Sequence, residues 1–138
     1  MSKKGKLKIA LIGSGGRMGV SITQVLANST KSMLFAAVER ADSPLIGKDV
    51  GIHAGIGEIG KVFTSHMEEA ISESDVIIDF GSSENTRSVL ELAVKHKKPL
   101  VIGVTGLDEA FLQKIREASV QIPVLQSPNM SVGVNLLF

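Results

Sequence analysis

Apolar residues along this chain fall at two spacings, and the change from one to the other marks out its elements. Residues 7–12 are an almost unbroken apolar run, the pattern of a strand buried on both faces of a parallel sheet. Residues 19–28 then follow a helical period, with Met18, Ile22, Val25 and Leu26 on one stripe. Residues 33–38 read as a second strand, ending at Glu39 and Arg40, and residues 41–61 read as a mobile Gly-rich connection holding Pro44. Val62 and Phe63 form a short third strand, after which Ser65 is placed to cap a helix carrying Met67, Ala70 and Ile71. Residues 75–80 are the clearest strand. A Gly81-Ser82-Ser83 turn and a helix with Val89, Leu92, Ala93 and His96 on one face follow it. Residues 100–102 form a fifth strand, Asp108 caps a helix carrying Phe111, Leu112, Ile115 and Ala118, and residues 123–125 form a sixth strand.

Strands alternating with helices at these lengths give right-handed βαβ units. The expected fold class is therefore α/β, a Rossmann-like doubly wound parallel sheet with helices on both faces. Ligands of such sheets bind beyond the carboxyl ends of the strands. The polar and Gly-rich sequences follow strands one, two, four, five and six, which is where that rule wants them.

The most informative of them is Gly13-Ser14-Gly15-Gly16-Arg17-Met18-Gly19, lying between the first strand and the first helix. Glycines let the backbone approach a pyrophosphate, and the first helical N–H groups meet it with the positive end of the helix dipole. The spacing is G-x-x-G-x-x-G on Gly13, Gly16 and Gly19, with Gly15 as an extra, a variant of the dinucleotide fingerprint. Gly55-Ile56-Gly57-Glu58-Ile59-Gly60 fits G-x-G-x-x-G to the letter. No strand leads into it, a strand and not a helix follows, and Glu58 would set negative charge in a phosphate loop; it reads as a loop.

Glu39 stands 20 positions after Gly19, where a carboxylate accepts hydrogen bonds from adenosine ribose hydroxyls. Arg40 beside it can meet a 2′-phosphate or stack on adenine, so both NADH and NADPH are expected as cofactors. Gly103, Val104, Thr105 and Gly106 follow the fifth strand and can hold the nicotinamide or its ribose. Ser127, Pro128, Asn129 and Met130 follow the sixth, with Asn129 placed for the carboxamide. His53 is assigned to the mobile loop, and His66 and His96 to outer helices. No Ser-His-Asp arrangement, paired carboxylate or metal-type spacing suggests itself, so no catalytic residue is assigned within the chain.

Composition narrows the classes further. The 138 residues suit one domain, and 43% hydrophobic and 21% charged residues are ordinary for a globular one. A net charge of +1 argues against nucleic acid as a partner, and the four lysines within residues 1–8 read as a solvated terminus. The chain has no cysteine, which removes disulfides and thiolate chemistry and suits a reducing compartment. No apolar run nears the ~18 residues that span a membrane, and none forms a signal segment, so a cytoplasmic location is expected. Residues 131–138 open a new apolar element and stop within it, which is expected to be the start of a hinge or second domain beyond a dinucleotide domain of residues 1–130.

The glycine turn, Glu39-Arg40, Asp79-Phe80, Gly103-Val104-Thr105-Gly106 and the run from Ser127 through Asn129, Met130 and Ser131 to Asn135 together resemble the dihydrodipicolinate reductase family of lysine and diaminopimelate biosynthesis. The resemblance runs the length of the chain. It implies the family's N-terminal cofactor domain, with Gly13, Ser14, Gly15, Gly16, Arg17 and Met18 around the pyrophosphate. Glu39 and Arg40 would lie at the adenosine end, and Phe80, Gly103, Val104, Thr105, Ser127, Pro128, Asn129 and Met130 towards the nicotinamide. It further implies NAD(P)H-dependent reduction of a cyclic dicarboxylate, 4-hydroxy-tetrahydrodipicolinate, by a homotetramer. The family's His-His and Lys-x-Asp-x-Pro-Ser-Gly-Thr segments, which supply the proton donor and substrate contacts, have no counterpart up to residue 138, so this chain alone is expected to bind cofactor without turnover. Gly81 and Ser83 also stand where the family has Thr or Ser and then Pro. Two rivals remain at this stage: a non-enzymatic dinucleotide-binding regulatory module, and another reductase of the same fold, such as a homoserine or semialdehyde dehydrogenase. The latter explains the glycine turn but not the segment from Asn129 to Asn135.

Overall fold

A strand that is apolar at every position needs cover on both sides, and β1 (Leu7–Ile12) lies in the middle of its sheet, between β2 (Ser32–Val38) and β4 (Val76–Asp79). The computed structural model describes residues 5–126. Its six strands, which include β3 (Phe63–Thr64), β5 (Leu100–Ile102) and β6 (Val124–Gln126), are all parallel in the order β3-β2-β1-β4-β5-β6. The order reverses direction between β1 and β4, which makes that gap the switch point of a Rossmann-like sheet.

Alternation within these apolar runs divides the core in two. Ile9, Leu11, Val76 and Ile78 face one side, where Ile22 and Leu26 of α1 (Arg17–Ala27) pack with Val50 and Phe63. Ile12, Ile77, Leu100 and Ile102 face the other, against Ile71 of α3 (Met67–Glu73), Val89 and Ala93 of α4 (Ser83–His96), and Phe111 and Ile115 of α5 (Glu109–Ala118). Each large apolar side chain buried in this way contributes roughly 1.5–3 kcal/mol. The sheet is therefore held rigid from both faces up to its carboxyl edge.

The element order follows the sequence expectation, and three details depart from it. The helix after β3 is capped at His66 with no side-chain hydrogen bond, so Ser65 is not its cap. The buried stripe of α4 is Thr86, Val89, Leu90 and Ala93, which leaves Leu92 half-buried and sets His96 against Glu68 of α3 at 2.9 Å. The connection 41–61, expected to be mobile, has structure of its own. It contains a short helix, α2 (Val50–His53), whose cap residue Asp49 accepts hydrogen bonds from the N–H groups of Gly51, Ile52, Ile59 and Gly60. Gln24 Nε2 ties this connection to α1 by donating to Ala54 O at 2.8 Å. A single carboxylate gathering four donors gives a Gly-rich segment a fixed path that composition alone does not show. Gly55, Gly57 and Gly60 all have positive φ and open space around them, so the second glycine pattern is a series of turns and not a cradle.

Candidate functional site

The glycine turn sits on the switch point because two glycines allow backbone to lie on backbone. Gly13 has φ +75°, and a Cβ there would stand 2.6 Å from Gly81 N, so the turn after β1 rests directly on the turn after β4. A Cβ on Gly19 would run into the carbonyl of Ser14, so α1 starts tight against the same turn. The Ser14 side chain points inward. It is 1% exposed, and its hydroxyl donates to Val38 O at 3.2 Å.

Gly16 caps α1 with extended backbone and no side-chain hydrogen bond, and the first turn of the helix holds no acidic residue. The first bond closing the helix runs from Val20 N–H to Gly16 O. The N–H groups ahead of it have no partner within the helix and, with the positive end of the dipole, suit an anion. Such a terminus contributes roughly 0.3–1 kcal/mol towards a bound negative charge.

Glu39, at the end of β2, reaches back to this turn. Its Oε2 accepts the Gly15 N–H at 2.7 Å, while Oε1 has no hydrogen-bond partner among the described residues. Gly15 must be small here, since a Cβ would strike Leu45 and come within 3.0 Å of the Glu39 carboxylate. Arg40 is exposed and pairs with Asp42 at 3.4 Å. One carboxylate thus lies fixed beside the glycine turn with an oxygen to spare, and one exposed guanidinium lies next to it on the same cleft.

The far wall follows β4 and β5. Phe80 N–H donates to Ile12 O at 2.9 Å, and Gly103 N–H to Asp79 O at 2.9 Å, which binds the three turns together. The Phe80 ring fills the space that a side chain on Gly103 would take. Ser82 Oγ accepts from Asn85 N and caps α4, whose N-terminus also faces the cleft. Asp79 lies beneath the turn with no exposure. Its Oδ1 accepts from Gly81 N–H at 2.8 Å, and Oδ2 has no hydrogen-bond partner among the described residues. Burial pushes its carboxyl up to about 6, although the Gly81 N–H and the Thr86 hydroxyl pull the other way.

These turns enclose a cleft of about 600 Å³ that brings together Gly13, Gly15, Gly16, Glu39, Arg40 and Phe80 from the sequence reading. The others lie around it. Ser14 is turned into the core, Arg17 is exposed on the first turn of α1, and Met18 packs against the core on the α1 side. Gly103 stands behind the Phe80 ring, Val104 is buried in the core on the α4 side, and Thr105 is exposed. Ser127, Pro128, Asn129 and Met130 lie outside the described residues, as does the segment 131–138.

Sequence reasoning missed several residues of the site. Leu45, Ser65, Met67 and Asn85 line the cleft, and each follows a strand on the carboxyl edge, the signal by which the topology would have found them. His53, assigned to a mobile loop, has Nε2 at 2.9 Å from Gly15 O. The titratable residues lining the cleft are Glu39 and Arg40. Among the described residues no cluster of three or more His, Cys, Asp or Glu side chains could hold a metal ion, and no helix is long and apolar enough to cross a membrane.

The comparisons with known proteins agree with this geometry. The family described as dihydrodipicolinate reductase, N-terminus, matches residues 7–130, and the chain belongs to that family. Among solved structures it is similar to a dipicolinate-bound dihydrodipicolinate reductase from Paenisporosarcina sp. TG-14 (TM-score 0.73, 19% identity), covering 96% of this chain and 51% of that one. It is also similar to a probable dehydrogenase from Thermotoga maritima (TM-score 0.70, 18% identity), over 88% of this chain and 36% of that one. A third likeness is to an oxidoreductase from Agrobacterium radiobacter solved with NAD+, L-tartaric acid and magnesium (TM-score 0.65, 21% identity), over 91% of this chain and 36% of that one. At these identities the likeness is one of fold, and the chain spans about half the length of the first of these structures and little over a third of the others. Family and fold together make it a dinucleotide-binding domain of the NAD(P)-dependent oxidoreductase type.

Proposed function

We propose that this chain binds NADH and NADPH across its cleft as the cofactor half of a 4-hydroxy-tetrahydrodipicolinate reductase. The observation that carries this reading is the hydrogen bond from Gly15 N–H to Glu39 Oε2, which joins the anion-binding turn to a carboxylate with one free oxygen. That arrangement fits a dinucleotide: pyrophosphate over Gly13, Gly15, Gly16 and the first turn of α1, and the adenosine ribose on Glu39 Oε1. Arg40, an exposed residue of the cleft lining, suits the 2′-phosphate of NADPH once it leaves Asp42.

The bound cofactor would supply a hydride. The chain's own part is to hold it, with Phe80 packed on Gly103 to form the wall beyond the pyrophosphate and keep water from it. Glu39 and Arg40 are committed to the adenosine end, so the proton donor for a reduced dicarboxylate comes from outside residues 5–126. Family membership supports the cyclic dicarboxylate substrate and, for the full-length protein, a homotetramer in the cytoplasm.

Calorimetric titration of the 138-residue chain with NADH and NADPH tests this reading. The wild type is expected to bind both saturably. Glu39→Ala is expected to lose about tenfold for NADH, or about 1.4 kcal/mol, and less for NADPH, which keeps its phosphate contact. A folded wild-type chain that binds neither cofactor overturns it.

A further inference from the structure

Gly13 and Gly19 are pinned by close backbone contacts, but Gly16 is not: a Cβ there would meet nothing nearer than Gly13 O at 3.7 Å. Packing therefore sets no limit at Gly16, at the entrance to α1, and glycine has the widest backbone freedom of any residue. Hydrogen bonds do what packing does not. Glu39 accepts from Gly15 N–H, Gly16 N–H donates to Gly13 O at 3.4 Å, and His53 holds the Gly15 carbonyl, the other end of that same Gly15–Gly16 peptide, at 2.9 Å. A carbonyl oxygen only accepts, so Nε2 of His53 carries the hydrogen.

We infer that His53 is a positioning residue for the dinucleotide turn, holding the Gly15–Gly16 peptide at the cap so that the N–H groups of the first turn of α1 face the pyrophosphate. A trans peptide is planar, with its N–H opposite its C=O, so the bond to His53 at one end keeps Gly16 N–H on Gly13 O at the other, and with it the direction in which α1 begins. The histidine is itself held in place. It ends α2, its ring stands edge-on to buried Phe63 at 5.5 Å and 83°, and Asp49 and Gln24 anchor the segment on either side of it. The 41–61 connection thus acts as a strap that brings a donor to the turn across 38 residues of sequence.

This inference rests on the dinucleotide reading, and the test separates the two. Affinities for NADH and for adenosine, which shares the ribose contact at Glu39 but has no pyrophosphate, are measured for the wild type, His53→Phe and His53→Gln. Phe keeps a ring against Phe63 without a donor, while Gln restores a side-chain N–H at similar reach. His53→Phe is expected to weaken NADH about three- to tenfold, the range of one hydrogen bond, and to leave adenosine within about twofold. His53→Gln is expected to recover most of the loss. Equal NADH affinity in all three chains, equal loss for both ligands, or no recovery in Gln overturns the role of His53 while leaving the dinucleotide reading intact. A wild-type chain that binds neither ligand overturns both.

Discussion

The ring of Phe80 occupies the volume that any side chain on Gly103 would need, so the turns after β4 and β5 interlock through an absent Cβ. Gly103→Ala must push the ring off its seat. The expected result is a loss of about 1–3 kcal/mol in denaturant unfolding, the usual range for overpacking, with weaker NADH binding as the cleft wall shifts. Phe80→Leu, which leaves room for the added methyl, is expected to restore part of the stability in the double variant.

Gly16 and Gly19 are expected to behave oppositely, although both belong to one motif. A Cβ at Gly16 is tolerated, and an aspartate at a helix N-cap is favourable, so Gly16→Asp should melt at or slightly above the wild-type temperature. It should nevertheless lose NADH, because its carboxylate takes the place of the phosphate. Gly19→Ala runs into the Ser14 carbonyl and should cost about 1–3 kcal/mol of stability. Thermal melts and NADH titrations of the two variants, read together, separate the fold-making glycine from the ligand-making one.

Asp79 gives a pH dependence of known sign. Its carboxyl is raised from 3.8 to about 6 by burial, so between those values the folded protein holds a proton that the unfolded chain has released. Stability should then fall as pH rises from about 4 to 6 and level off above, by up to about 3 kcal/mol for a shift of this size. Asp79→Asn, neutral throughout and still able to accept from Gly81 N–H, should remove this component of the slope and be more stable than wild type at pH 7. Urea midpoints at pH 4, 5, 6 and 7 for both proteins check this; parallel curves would show that Asp79 does not titrate in that window.

Asp49 organises the strap. Partial burial raises its carboxyl, but the N–H groups of Ile52, Ile59, Gly60 and Gly51 together hold it below the ordinary value. Asp49→Ala should release those donors, speed amide exchange across residues 51–60 and loosen the contact of His53 with the glycine turn, while the strands of the sheet keep their protection.

The order of the elements was legible from the sequence because each strand is apolar throughout and each helix carries a stripe, so burial demands those shapes wherever the chain lies. The glycine turn and Glu39 were legible too, for their spacing follows from the length of one βαβ unit. Ser65 was misread as a cap because a serine before a helical stripe has the right chemistry for one. The structure starts the helix one residue later and gives Ser65 to the cleft wall instead. His53 gave no signal at all.

The sequence by itself determined the alternation of strands and helices and marked the end of β1 as the candidate anion site, because periodicity and glycine spacing are local properties. Only the tertiary structure decided which atoms hold that turn. Glu39 meets Gly15 across 24 residues and His53 meets it across 38, and Gly13 rests on Gly81 from another strand. Contacts between segments so far apart depend on strand order and loop path, which a one-dimensional pattern does not encode.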